Sequence, residues 1–267
     1  MHLFPAAAAF GLLLFFSMFS PGVGHHNHHE HGKHAEVRAE QAKAQFTFPA
    51  GRPAAGAPAG LRIAVTDASG APVEQFDIEH EKLMHLIVVS EDLQQFQHLH
   101  PEYEGGGVFG ATAVFPAGGR YKLFADFIPH GGAPVTAIGE VAVSGKTRPS
   151  APLVADAEWV RIVDGTEVSL EMGPAAPGAE TTLTFRFRDA ESGRPADGME
   201  TYLGAAGHVV ILSAGAETYL HVHPADESAP GPEARFRTAF PTPGLYKIWG
   251  QFQREGRLMT VSFVVKV

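Results

Sequence analysis

The chain has 267 residues, with 20 Lys and Arg against 29 Asp and Glu. Its net charge of −9 excludes the basic footprint of a nucleic-acid binder. Hydrophobic residues make up 45%, which supports a buried core and argues against a disordered chain. There is no cysteine, so disulfides, zinc–thiolate sites, iron–sulfur clusters and blue-copper centres are excluded, yet there are 15 histidines.

In chain order, "PAAAAFGLLLFFSMF" (5–19) is one apolar block, short for a membrane span, and "SPGVG" follows it at once. Residues 1–24 read as a secretory signal peptide, although only His2 stands where a basic residue is usual. The expected location is the periplasm or the secreted space, with an uncleaved N-terminal anchor as the minority reading. "HHNHHEHGKH" (25–34) cannot build a core. It reads as a disordered metal-collecting tail, or as a tolerated low-complexity linker. "AEVRAEQAKA" (35–44) suits a short helical linker, so 25–45 is taken as tail and linker.

The remainder is an internal repeat. "FTFPAGRPAAGAPAGLRIAVTDASGAPV" (46–73) parallels "VSLEMGPAAPGAETTLTFRFRDAESGRPA" (168–196), and "FPAGGRYKLFADF" (115–127) parallels "FPTPGLYKIWGQF" (240–252). Two domains follow, at 46–145 and 165–267, joined by a linker at 146–164. Short apolar runs separated by turn residues predict strands at 61–67, 84–90, 96–101, 110–115, 121–127 and 136–143. In the second repeat they fall at 182–189, 208–213, 219–224, 234–240, 246–252 and 259–267. About seven strands per hundred residues predicts an all-β chain of two tandem immunoglobulin-like or cupredoxin-like β-sandwiches. Tyr121 and Tyr246 are candidates for tyrosine corners.

Each repeat carries His, twelve residues, then His-x-His-Pro: His85, His98 and His100, and again His208, His221 and His223. Residues two apart on a strand share a face, so His98 and His100 project together, about 6.5–7 Å apart. With "EDLQ" (91–94) as a four-residue hairpin loop, His85 falls opposite His100 on that face. "AGAE" (214–217) places His208 opposite His223 in the same way. A register slip of one residue would break both sites. Three imidazoles and an open position suit a copper or zinc ion. His130 is a further ligand candidate in repeat 1. Glu102 is the preferred nearby carboxylate, and Met84, Met199 and Met259 are the thioethers within reach by sequence. An HxHP strand with two solvent-facing rings is the bland alternative.

"MHLIVVSEDLQQFQHLHP" and "GHVVILSAGAETYLHVHP" resemble YtkA-like and FixH-like exported bacterial β-sandwich domains, and more loosely the copper-handling periplasmic proteins. The resemblance runs over most of residues 46–267. It implies an immunoglobulin- or cupredoxin-like fold and a link with copper or other heavy metals, and it carries no catalytic residue.

The expected function is an exported metal buffer or carrier, whose partners are metal ions and an exported or membrane metal-handling protein. Its affinity should fall below about pH 6.5, where free imidazole protonates. An interaction or adhesion module of β-sandwich domains is the first alternative. A cupin-like metalloenzyme is the second, but Tyr121 stands where that motif needs a later histidine.

Overall fold

The computed structural model describes residues 42–222, 224 and 231–267, all within one structural unit. The signal peptide, the histidine tail and His223 lie outside the described residues. The described residues contain no helix.

Repeat 1 contributes nine strands: β1 (Lys43–Thr47), β2 (Pro58–Thr66), β3 (Phe76–Asp77), β4 (Met84–Ser90), β5 (Phe96–Leu99), β6 (Glu102–Gly105), β7 (Val108–Val114), β8 (Gly119–Pro129) and β9 (Val135–Val143). Repeat 2 contributes β10 (Val160–Val163), β11 (Thr166–Met172), β12 (Glu180–Asp189), β13 (Met199–Glu200), β14 (His208–Ser213), β15 (Tyr219–Val222), β16 (Glu233–Ala239), β17 (Leu245–Arg254) and β18 (Arg257–Lys266). Every predicted strand is present. The chain is all-β, and each repeat is a sandwich of two antiparallel sheets. The outer sheets run β1-β2-β7-β6 and β10-β11-β12-β16. The inner ones run β3-β8-β4-β5 and β13-β17-β14-β15, with β9 on β8 and β18 on β17.

Two boundaries differ from the sequence reading. Lys43 and Ala44 belong to β1, paired with Thr66 and Val65, rather than to a helical linker. Strand β10 lies inside the predicted linker and pairs with β11 from Val160 to Val163. Both are short edge strands, whose sequences carry no core-forming run and whose pairing comes from the neighbouring strand.

The core of each repeat follows strand alternation. Met84, Leu86 and Val88 of β4 pack with Ile63, Phe109, Leu123 and Phe127. Val209 and Ile211 of β14 pack with Phe185, Phe236, Ile248 and Phe252. All seven residues of β4 are buried, so its other face is covered as well. That cover is repeat 2: Ile87, Val89, Leu93 and Phe124 form one apolar cluster with Val210, Leu212, Ala216 and Trp249. The inner sheets of the two repeats therefore meet face to face.

Tyr121 and Tyr246 close the corners. The Tyr121 hydroxyl donates to the Ala117 carbonyl at 2.9 Å, and Tyr246 to the Thr242 carbonyl at 2.8 Å. Tyr121→Phe and Tyr246→Phe should each cost about 1 kcal/mol, the net worth of one such bond. Urea unfolding of each variant reads this, and an unchanged midpoint would show the corners to be dispensable.

Candidate metal centre

The register on which the site depends is the one the loop lengths imply. Leu86 pairs with Leu99 and Ile87 with His98, which carries His85 to His100 one step beyond the ladder. In repeat 2, Val209 pairs with Val222 and Val210 with His221. His85 and His98 thus share a face with Ile87, and His208 and His221 share one with Val210. Because these faces meet at the junction, His208 and His221 come together with the histidines of repeat 1. His85 is 1% exposed and His208 3%.

The ring centroid of His85 lies 5.2 Å from that of His98, 5.2 Å from His100, 5.7 Å from His208 and 5.5 Å from His221. The ligand nitrogens of His85, His98 and His100 all lie within 4.8 Å of one another.

Hydrogen bonds set the tautomers. His85 Nε2 lies 3.0 Å from the Glu79 carbonyl oxygen, and His208 Nε2 lies 3.1 Å from that of Tyr202. Carbonyls only accept, so both rings donate there and keep a lone pair on Nδ1. His98 Nδ1 lies 2.7 Å from Gln251 Oε1, while Gln251 Nε2 donates to the Thr260 hydroxyl at 3.2 Å. His98 therefore donates through Nδ1 and keeps its lone pair on Nε2. Yet His85 Nδ1 and His98 Nε2 face each other at 3.0 Å. Two lone pairs at that distance repel, and a cation between them turns the repulsion into two bonds. Ligand nitrogens on a tetrahedral ion at 2.0–2.1 Å stand roughly 3.3 Å apart, close to this spacing. His100 Nε2 is buried with no hydrogen-bond partner.

Burial holds these rings neutral. It pushes His85 down to about 3, His100 to about 4 and His208 to about 2, with smaller contributions from neighbouring charges. His98 is driven well below its ordinary value, again chiefly by burial. Protonation of these rings therefore sets in below the ordinary imidazole range.

The carboxylate at the junction is Asp126, 6% exposed. It accepts from the Thr136 hydroxyl at 2.6 Å, from His221 Nδ1 at 3.1 Å and from the Tyr219 hydroxyl. A carboxylate on the far nitrogen orients a ligand histidine and raises its basicity. Glu102, the carboxylate preferred from sequence, is instead exposed on β6. It lines a cleft of about 540 Å³ with Arg62, Glu104 and His100, which opens the rim of the cluster to solvent. Met84, Met199 and Met259 all pack with the repeat cores, so their sulfurs serve those cores.

His130 stands apart. Its Nδ1 donates to Asp77 Oδ1 at 2.6 Å, with the His130 side chain 66% exposed. That bond is the main reason the Asp77 carboxyl lies below its ordinary value. His80, which sequence reasoning missed, joins the cluster with its ring 4.9 Å from that of His208 and 6.4 Å from that of His85. It occupies a tight turn at φ +46°. Its counterpart by repeat alignment is Leu203, so comparing the repeats could not reveal it.

A family model described as a domain of unknown function matches residues 25–145 and 161–267. No curated protein matches the chain. Among solved structures, the Escherichia coli adhesin FdeC is 14% identical at a TM-score of 0.29, over 84% of this chain and 63% of that one. A Salmonella alpha-2-macroglobulin mutant is 13% identical at 0.31, over 86% of this chain and 15% of its own. A two-domain fibronectin type III segment of chicken tenascin is 15% identical at 0.24, over 85% and 99%. The chain thus spans less than two thirds of the adhesin and a small part of the macroglobulin. None of these likenesses bears on activity.

Proposed function

The chain belongs to the family of the Domain of unknown function (DUF8832), and since that description names no activity, we propose a function from the junction: an exported protein that binds a copper or zinc ion as a buffer or carrier. The carrying observation is the pair of lone-pair nitrogens, His85 Nδ1 and His98 Nε2, facing each other at 3.0 Å. An all-imidazole donor set with no thiolate suits a borderline ion such as Cu²⁺ or Zn²⁺. The histidine tail would gather ions for the folded site, and a metal-handling protein of the same compartment would receive them. The resemblance to YtkA-like and FixH-like domains belongs to this reading.

Calorimetry with Cu²⁺ and Zn²⁺ tests it, on a full chain whose 25–34 histidines are replaced by serine. Binding should persist there and weaken at least about 100-fold in H85A/H98A/H100A, since losing outer partners alone costs 10–100-fold. A chain that binds neither ion would end the proposal.

A second reading is an interaction or adhesion module, with the histidines packing the junction. The fold taken alone favours it: two tandem β-sandwiches with apolar side chains exposed on the edge strands β9 and β10, Ile138 at 59% and Ile162 at 67%. Unaltered partner binding in the triple variant, together with silent calorimetry, would establish this reading instead.

A further inference from the structure

The contacts between the repeats are reciprocal. Lys122 Nζ donates to the Ala216 carbonyl at 3.1 Å, and its counterpart Lys247 donates to Leu93, the counterpart of Ala216, at 2.8 Å. Phe124 stacks on Tyr219 at 4.5 Å and 6°, and their counterparts Trp249 and Phe96 stack at 5.0 Å and 15°. His98 is held by Gln251 of repeat 2 at 2.7 Å, and His221 by Asp126 of repeat 1 at 3.1 Å. Residue i meets j, and the copy of j meets the copy of i. That is an isologous interface, folded into one chain.

From this arrangement we infer that the chain holds one shared metal site, in which His208 and His221 of repeat 2 complete the coordination begun by His85, His98 and His100 of repeat 1. The inference rests on the metal-binding reading and replaces one site per repeat with one site per chain. Distance supports it. The ring of His208 lies 5.7 Å from both His85 and His98, which is no farther than the 6.0 Å to its own repeat's His221. The cross-repeat neighbours are thus as close as the internal ones. The Nε2 of His208 is spent on Tyr202, which leaves Nδ1 as the atom to bind the ion; His208 and His221 close in on binding, since the nitrogens standing within 4.8 Å of one another are those of His85, His98 and His100.

Charge sets the number of ions. Imidazoles bring none, Asp126 accepts from His221, and the Glu79 carboxylate lies near enough to act on Tyr219 beside it. Two divalent ions about 4 Å apart, the usual two-metal spacing, would repel each other, and neutral imidazole ligands do not offset that repulsion. One ion meets no such opposition.

Calorimetry with Cu²⁺ and with Zn²⁺, and the Cu²⁺ electron paramagnetic resonance spectrum, test this on the tail-substituted chain and on H208Q and H221Q. Thermal melts confirm that each variant folds. The expected result is one ion per chain, affinity at least about 10-fold weaker in each variant, and an altered copper spectrum. Two equivalent ions per chain would overturn the inference. So would one ion whose affinity and spectrum are unchanged in both variants, and that result would leave the repeat 1 triad standing as the site. Absence of binding in the parent chain would remove the metal reading itself, a separable failure. If a glutamine variant does not fold, D126A removes the acceptor that anchors the His221 ring and is read by the same two measurements.

Discussion

Acidification from pH 7 to pH 5 should destabilise the metal-free protein steeply. His85 and His208 sit in the fold with values near 3 and 2, against an ordinary 6.5. In the unfolded chain they take up protons as pH falls through 6.5, whereas in the fold they do not. The unfolded state thus binds more protons, and stability falls with falling pH. The contribution is fully present above 6.5 and is lost progressively from there down towards the folded values. Each histidine contributes up to about 1.4 kcal/mol per pH unit. Burial drives His98 and His100 down as well, so they act in the same direction. Urea unfolding at pH 7.5, 6.5, 5.5 and 5.0 measures it, in a window above the ordinary carboxylate range. A midpoint that does not move between 6.5 and 5.0 would mean that these rings are solvated, not buried.

Truncation of the junction aromatics should have the second large effect. Phe124 is fully buried, Trp249 is 4% exposed, and both pack in the cluster between the repeats. Phe124→Ala and Trp249→Ala should each cost about 3–5 kcal/mol, the range for emptying a buried aromatic site. Because the two positions are counterparts, the losses should be similar. A cycle with Tyr219→Ala should show a coupling of about 0.5–1.5 kcal/mol with Phe124, for the stacked pair itself. Losses under 1 kcal/mol would mean that the repeats are stable without each other.

Much of this is legible in the residues. Apolar runs and turn residues mark the strands, and the lengths of "EDLQ" and "AGAE" set the decisive register. Counting from those loops puts His85 opposite His100, and the ladder agrees. The meeting of the repeats does not follow from loop lengths or turn residues, although a trace of it is present. "MHLIVVS" and "HVVILS" do not alternate apolar with polar residues, and a strand that is apolar on both faces has something packed on each. Alternation tells which residues share a face. It does not tell what covers that face, so the two histidine sets read as separate sites. His80 is hidden for a related reason: it sits in a turn, and only one copy of the repeat carries it. Strands β1 and β10 escape notice because edge strands form through their neighbours more than through their own side chains.

The pairing of Asp126 with Gln251 has one more consequence. These residues occupy equivalent positions, at the partner of His85 in β8 and the partner of His208 in β17. A homodimer of a single repeat would be bound by symmetry to carry the same residue twice, giving two acids or two amides around the histidines. Joining the halves in one polypeptide lifts that constraint and lets the two equivalent positions carry one acid and one amide. Duplication followed by fusion can therefore tune the electrostatics of a buried centre in odd steps, which a symmetric assembly cannot take.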